Sequence, residues 1–255
     1  MIFPYLFRVQ SSSSQVSRTD EGFFSQIKPP EHLSGPEYQD SLSKHLLWER
    51  KESPWISTTS SLLRALIFAR YRCLQAEDDV RITMIDPQSL RSDTIFPASY
   101  LMKKYKLKSR GKLWHDKPDG EYLVTGKIPS NSFLGEVTYE AISKQIEAIL
   151  PELADKPHHL TEDLRKYYHG TQNELFRALK PKDQSFDVQA LGREYEAVRS
   201  LSNAFGGDQI SLPLTLMCLA FRRRTTLEQE WLKIDDDFTG RTGTQQLHFS
   251  TADIS

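Results

Sequence analysis

Three polar segments occupy places where the sequence otherwise predicts apolar strands, and their side chains could act together on one ligand. Arg8 lies within the apolar run of residues 5–9, where a guanidinium costs free energy unless it binds an anion or pairs internally. Residues 55–60, WISTTS, end a strand pattern in consecutive hydroxyl groups. Glu121 heads another apolar run, residues 122–124. Taken singly, a salt-bridged arginine, a serine helix cap and a solvated glutamate explain them as well.

A cation, a hydroxyl-rich strand and a carboxylate are together what cleavage of the nicotinamide–ribose bond of NAD demands. The reaction passes through an oxocarbenium-like state, in which positive charge grows on the ribose. A guanidinium grips the phosphates, small hydroxyl groups hold the nicotinamide and its ribose, and a carboxylate faces the developing charge. The carboxylate can also accept a hydrogen bond from a ribose hydroxyl. Arg8, residues 57–59 and Glu121 therefore make NAD a candidate co-substrate.

The elements that would carry these residues alternate between strands and helices. Apolar runs separated by turn residues predict strands over residues 5–10, 55–58, 80–85, 121–128 and 133–138. Helical spacing predicts helices over residues 38–50 and 62–69, the second with Ser60 or Ser61 at its N-cap. This mixture predicts an α+β fold over residues 1–138.

Beyond residue 138 the apolar spacing becomes helical. Ile142, Ile146 and Ile149 form one stripe, and further helices are predicted over residues 160–168, 173–179, 188–205 and 212–221. The polar residues 234–255 show no apolar period, which is typical of disorder. We therefore expect a first domain over residues 1–138, a helical domain over 139–233 and a disordered tail over 234–255.

Composition sets bounds on partners and compartment. Hydrophobic residues make up 38% of the 255 residues and the net charge is −1, so global charge indicates neither a nucleic-acid nor a membrane partner. Residues 1–5 lack the basic and long apolar regions of a signal peptide, which favours a cytoplasmic protein or a secreted effector whose signal is absent from this chain. Cys73 and Cys218 lie in apolar helical contexts and are expected to be buried free thiols. His158 and His159 lack spaced partners, so we expect no metal site.

The order and spacing of these segments resemble the catalytic chains of the mono-ADP-ribosyltransferase family of the cholera toxin and pertussis toxin type. The shared features are an aromatic residue before Arg8, a serine-rich stretch over residues 11–14, the His45–Leu46 step before WISTT, and PDGE followed by GKIP over residues 118–129. The resemblance covers residues 3 to about 138. The same motifs are similar to a group of uncharacterised fungal domains.

This resemblance implies a fold, a reaction and a set of residue roles. The fold would be an ADP-ribosyltransferase-like split β-sheet core with a C-terminal helical region. Arg8 would bind the NAD phosphates, Ser57 would orient Glu121, and Glu121 would stabilise the oxocarbenium. Asp119, two residues before Glu121, would help to place or deprotonate the acceptor. The chain would then be a toxin-like effector of the enterotoxin A kind.

Other residues take supporting roles in the same resemblance, with some departures from the family pattern. Thr58 and Thr59 would support the nicotinamide pocket, and His45 would bind NAD or assist. The family triplet usually ends in serine where this chain has Thr59, which retains a hydroxyl. Asp119 stands where arginine-modifying members carry glutamate and others carry glutamine, so neither acceptor preference transfers. Gln10 lies near the place where the toxins often carry an acidic residue.

The resemblance also implies that the loop preceding the catalytic glutamate recognises the acceptor. Residues 103–112 carry basic side chains at six of ten positions, with Tyr105 within the stretch and Trp114 just after it. Such a stretch suits an acidic protein surface better than a nucleic acid, because the overall charge is close to zero. A solvated basic loop without a partner explains the same pattern.

Three functions remain open from the sequence. The first is transfer of ADP-ribose from NAD to a protein side chain. The second is NAD glycohydrolysis, in which water is the acceptor and the same residues suffice. The third is a catalytically silent protein of this fold that only binds.

Overall fold

The fold is α+β, and the part of the chain that the structure describes contains two antiparallel sheets with helices packed against them. A computed structural model describes residues 5–29, 35–46, 51–107, 120–149 and 188–206. The strands are β1 Leu6–Gln10, β2 Ser17–Thr19, β3 Gly22–Phe24, β4 Trp55–Thr59, β5 Arg81–Ile85, β6 Ile95–Pro97, β7 Glu121–Thr125, β8 Lys127–Pro129 and β9 Phe133–Thr138. The helices are α1 Pro36–Leu46, α2 Leu62–Leu74, α3 Ala98–Lys104, α4 Tyr139–Ile149 and α5 Val188–Ala204.

The three strands that carry the candidate residues are neighbours in the larger sheet. Its strand order is β6-β7-β4-β1-β5-β9, and the smaller sheet has the order β2-β3-β8. Thr59 of β4 lies opposite Glu121 of β7 on one side and opposite Phe7 of β1 on the other. The residue after Phe7 is Arg8, so the sheet brings the three segments to one place.

The strand predicted over residues 121–128 is wrong as a single element. It divides at Gly126, whose φ of +76° is strained for residues with a side chain, and β7 and β8 join different sheets. The apolar pattern continues through the turn because both halves are buried, so periodicity alone could not find the break. The strands β2, β3 and β6 have three residues each and were too short to predict.

Helix α2 follows β4 directly and carries an apolar face onto the sheet. Ser61 is its N-cap, and the Ser61 hydroxyl accepts a hydrogen bond of 3.2 Å from the backbone N–H of Arg64. Leu62, Leu66 and Ala69 recur at helical spacing and are buried. The helix runs to residue 74, five residues beyond the predicted end.

Among the described residues, three buried clusters hold the layers together. The largest joins the six-stranded sheet to α2, α4 and α5, and includes Phe7, Leu66, Ile146 and Leu201. A second lies between the two sheets and contains residues of β1, β3, β4, β5, β7 and β8. A third packs α1 and α3 against Trp55 and its strand neighbours. Strands β1 and β4 are thus covered on both faces.

The helical region shares its core with the first region over the described residues. The predicted apolar stripe of α4 is confirmed, because Ile142, Ile146 and Ile149 are buried, and the helix predicted over residues 188–205 is confirmed as α5. The domain boundary at residue 138 stays a prediction. The helices predicted over 160–168, 173–179 and 212–221 and the tail over 234–255 lie outside the described residues. Among the described helices, none combines the length and apolar character needed to cross a membrane.

Candidate functional site

Ser57 joins Arg8 to Glu121. The Nη1 atom of Arg8 donates a hydrogen bond of 2.7 Å to the backbone carbonyl of Ser57. The side chain of Ser57 interacts with the carboxylate of Glu121 on the neighbouring strand and lowers the pKa of that carboxyl. Three residues that are far apart in the sequence therefore converge on the middle of β4, which lies between β1 and β7 in the sheet.

The Arg8 guanidinium is held in place but retains an unused donor. Its Nε is buried without a hydrogen-bond partner, and none of the ion pairs among the described residues includes Arg8. Burial and, to a smaller extent, the nearby charge of Arg72 together lower the pKa of Arg8 to about 9. The group stays charged at neutral pH, because 9 is well above 7. A buried cation of this kind suits an anion better than water.

His45 extends the contact network on the other side of Ser57. Its Nε2 lies 2.8 Å from the Ser57 hydroxyl oxygen, and its Nδ1 lies 2.8 Å from the hydroxyl oxygen of Ser53. Burial and, to a smaller extent, the charge of Arg8 together lower the pKa of His45 to about 4. The imidazole is therefore neutral at pH 7, when each ring nitrogen has one role, donor or acceptor.

The Glu121 carboxylate lies in a partly buried environment of mixed character. Burial raises its pKa above 4.5, while the charge of Arg64 and the hydrogen bond from Ser57 act in the opposite direction. The turn before it is fixed by Gly120, which has a φ of +88°. The Gly120 carbonyl accepts a hydrogen bond of 2.8 Å from the backbone N–H of Ser60. The entry of β7 is thereby tied to the end of β4.

Thr58 and Thr59 use their hydroxyl groups within the fold. The Thr58 hydroxyl donates to the backbone carbonyl of Tyr122 at 3.1 Å, which links β4 to β7. The Thr59 hydroxyl oxygen accepts from the backbone N–H of Ser61 at 3.1 Å, at the start of α2. Both side chains are buried. Their expected part in a nicotinamide pocket stays a prediction.

Tyr105 packs against the third cluster. Its ring meets the ring of Tyr38 edge-on at 5.3 Å, and the Nζ of Lys104 lies 5.2 Å from its centre. Its role in substrate recognition stays a prediction. Asp119 and Trp114 lie outside the described residues.

Three further predictions concern residues of which the structure describes only a part. Residues 108–112 of the basic stretch and Cys218 lie outside them, whereas Cys73 is a half-buried free thiol. Within the described residues no group of three or more His, Cys, Asp or Glu side chains is arranged to hold a metal ion, and the His158–His159 pair lies outside them.

Comparison with known proteins identifies a family without a stated activity. Residues 1–142 match the family described as "Domain of unknown function (DUF7587)". The chain belongs to this family. No curated protein matches the chain. Among solved structures it is similar to EcPltA, an ADP-ribosylating toxin subunit, with 17% sequence identity and a TM-score of 0.37 over 53% of this chain and 75% of that chain.

This DUF7587 chain contains two site residues that the sequence did not single out. Arg64 lies in the first turn of α2, where its charge acts on Glu121, and its buried Nε has no hydrogen-bond partner among the described residues. The signal in the sequence that could have identified Arg64 is its position three residues after the N-cap Ser61. Ser53 contacts His45 from the segment before β4, and nothing in its sequence context indicated this.

The site brings a positive and a negative charge to the same serine. A guanidinium suited to an anion and a carboxylate suited to a cation contact the same serine, and a neutral imidazole contacts that serine as well. Such a site can hold a ligand that carries phosphate at one end and develops positive charge at the other.

Proposed function

We propose that this chain cleaves the nicotinamide–ribose bond of NAD and transfers ADP-ribose to a protein side chain. The observation that carries the proposal is the convergence on Ser57, whose carbonyl accepts from Arg8 at 2.7 Å and whose side chain acts on the carboxyl of Glu121. A dinucleotide that spans this serine would have its phosphates near the cation and its reacting ribose near the carboxylate. The resemblance of the motifs around these residues supports the same assignment.

Arg8 would bind the pyrophosphate of NAD. Its Nη1 donates to Ser57, while its Nε has no hydrogen-bond partner among the described residues, so the guanidinium is oriented with donor capacity left for a phosphate oxygen. Because the group is already buried and ordered, little side-chain entropy is lost on binding. A lysine could supply the charge but not the planar, oriented donors.

Glu121 would act on the ribose. As the bond between ribose C1′ and the nicotinamide nitrogen breaks, the electron pair leaves with nicotinamide and positive charge develops on C1′ and the ring oxygen. An ionised carboxylate stabilises that charge and accepts a hydrogen bond from a ribose hydroxyl. Ser57 would orient the carboxylate, and Thr58 and Thr59 would support the nicotinamide pocket around it.

The acceptor would attack C1′ after nicotinamide has left. Its nucleophilic atom forms the new bond and loses a proton, for which the carboxylate of Asp119 is our candidate. Trp114 and Tyr105 would contribute to recognition of the acceptor protein, and His45 would contact NAD or assist. Water in the place of the protein nucleophile would give free ADP-ribose through the same residues.

Incubation with NAD labelled in the adenylate phosphate, with and without a cell lysate, tests the proposal. Label on protein supports transfer. Free labelled ADP-ribose without labelled protein indicates hydrolysis instead of transfer. Intact NAD in every condition overturns both reactions. Glu121→Gln should lower the rate by about 100-fold or more, the size expected for losing one transition-state charge interaction. Glu140→Gln, which neutralises an exposed carboxylate on α4, is the matched control and should keep the full rate.

A further inference from the structure

We propose that Ser53 is a positioning residue that fixes His45 in the Nε2–H tautomer, so that every hydrogen bond from the backbone of Trp55 to the carboxylate of Glu121 points the same way. The inference deepens the function proposed above, on which its catalytic meaning rests. Its test follows protons on named atoms and does not require turnover of NAD.

The argument begins at the buried end of the chain of contacts. The backbone N–H of Trp55 donates to the Ser53 hydroxyl oxygen at 3.2 Å, and that oxygen lies 2.8 Å from Nδ1 of His45. Ser53 is buried, so its single hydroxyl proton needs an acceptor. Among the contacts of the described residues, Nδ1 of His45 is the acceptor within reach of Ser53. Ser53 therefore donates to Nδ1, which must be unprotonated.

The tautomer then determines the next two hydrogen bonds. A neutral imidazole with an unprotonated Nδ1 carries its proton on Nε2, and Nε2 lies 2.8 Å from the Ser57 hydroxyl oxygen. Nε2–H donates to that oxygen, which leaves the proton of Ser57 for the carboxylate of Glu121. A hydrogen bond donated to a carboxylate favours its ionised form. The chain from Trp55 to Glu121 thus supports the charge that burial disfavours.

The opposite tautomer would reverse the last steps. If Nδ1 carried the proton, Nε2 would accept from Ser57, and Ser57 could then only accept from Glu121. That arrangement supports a protonated Glu121, which cannot stabilise a cation. The direction of the chain, set at Ser53, decides which protonation state of Glu121 is favoured.

The charged groups around this chain do not replace that effect. Among the described residues, Arg8 on β1 acts on His45 and Arg64 on α2 acts on Glu121. Burial and, to a smaller extent, the charge of Arg8 lower the pKa of the His45 imidazole, so the ring stays neutral with one donor and one acceptor. Arg64 favours ionised Glu121 but supplies no hydrogen bond to Ser57 or His45 among the described contacts.

The first measurement is the ¹⁵N spectrum of the histidine side chains at pH 7, assigned with a His45→Gln variant. We expect an unprotonated Nδ1 and a protonated Nε2 for His45. A protonated Nδ1 in the unmodified protein overturns the proposal. This measurement needs no variant of Ser53 and so decides the question even if such variants do not fold.

The second measurement is the titration of the Glu121 side-chain carboxyl carbon by NMR. In Ser53→Ala we expect the midpoint to move to higher pH, because the imidazole is released to take the other tautomer. Ser53→Thr keeps the hydroxyl and should restore the original midpoint. Ser41→Ala is the matched control, since it deletes a buried hydroxyl from the helix that carries His45, and that hydroxyl has no hydrogen-bond partner within the described part of the chain.

The outcomes separate this proposal from the proposed function. An unchanged Glu121 midpoint in a Ser53→Ala protein with a native-like amide spectrum overturns the role of Ser53, whatever the chain does with NAD. The expected tautomer and midpoint shift in a chain that leaves NAD intact would support the role of Ser53 and remove the proposed reaction.

Discussion

Two residues of the candidate site are buried in surroundings that disfavour their charged forms. Glu121 is a carboxylate whose pKa is raised by burial, and Arg8 is a guanidinium whose pKa is lowered by burial. Burial removes each charge from the water that would otherwise stabilise it by solvation. Each charge therefore costs free energy in the folded protein. Groups in this state are typical of sites where a ligand or a transition state supplies the missing partner.

Glu121→Gln should therefore lose activity and gain stability. The folded-state pKa of Glu121 lies above its ordinary value of 4.5, so the carboxyl favours folding below pH 4.5 and the contribution is lost as pH rises through the folded value. At pH 7 the neutral amide avoids that loss, and we expect a higher Tm than that of the unmodified protein. Below pH 4.5 the difference in Tm should shrink. A variant with equal or lower Tm at pH 7 would contradict this account.

The same pKa sets the acid limit of activity. If ionised Glu121 stabilises the oxocarbenium, kcat should fall as the pH drops through a midpoint above 4.5. His45 should contribute no step near neutrality, because its pKa of about 4 keeps it neutral there. The measurement is kcat for NAD consumption from pH 4 to 8, with stability checked at each pH. A decline centred between pH 6 and 7 that His45→Gln abolishes would show that the histidine, not Glu121, titrates.

Arg8→Lys tests whether the oriented guanidinium matters beyond its charge. A lysine keeps the charge but lacks the planar guanidinium, whose Nη1 donates to Ser57 and whose Nε is left for phosphate. NAD should therefore bind about 10-fold more weakly or worse. The readout is Kd from calorimetric titration of the Glu121→Gln background, in which NAD survives the experiment. Arg91→Lys changes an exposed arginine that pairs only with Asp93 among the described ion pairs, and should bind NAD normally.

At the scale of elements, the sequence predicts best where the apolar pattern and the structure have the same period. β1, β4, β5 and β9 follow from apolar runs bounded by turn residues, as does the α2 helix with its serine cap. The sequence pattern predicts β7 and β8 as one strand, because the turn at Gly126 changes the direction of the chain without ending the apolar pattern. Arg8, Ser57 and Glu121 could be proposed from their order, whereas Ser53 depends on how α1 packs against β4, which no local pattern encodes.

The turn that introduces β7 offers a test at this scale. In Gly120→Ala the new methyl would lie 3.0 Å from the Ser60 hydroxyl at a φ of +88°. The backbone strain alone should lower the free energy of unfolding by about 1–2 kcal/mol. Gly35→Ala is the control, since Gly35 has a φ of +112° but nothing within 4 Å of the added methyl. Both variants should lose stability in urea titration, and only Gly120→Ala should also lose NAD cleavage, because it moves Glu121. Equal activity in the two variants would contradict the positioning role of this turn.

At the scale of the whole molecule, the site depends on two helices, α4 and α5, that carry none of its residues. Strand β1 carries Arg8, and its other face belongs to the large cluster that α4 and α5 complete. The contact is close at Gly135 of β9, where an added methyl would meet the carbonyl oxygen of Phe205 at 1.4 Å. Backbone of the α5 end is thus in direct contact with the sheet, and only glycine fits at that point.

The chain cut after residue 138 should therefore fail to fold, although the candidate site lies entirely before the cut. Removal of α4 and α5 would expose the apolar side chains of β1, β5 and α2 that these helices cover. A milder probe is Leu201→Ala, which truncates a fully buried side chain of α5 and should cost about 2–5 kcal/mol in urea titration. Glu196→Ala, at an exposed position of the same helix, should be close to neutral. A fragment of residues 1–138 that unfolds cooperatively and cleaves NAD would show instead that the sheet is stable without α4 and α5, and that the boundary predicted at residue 138 separates independent domains.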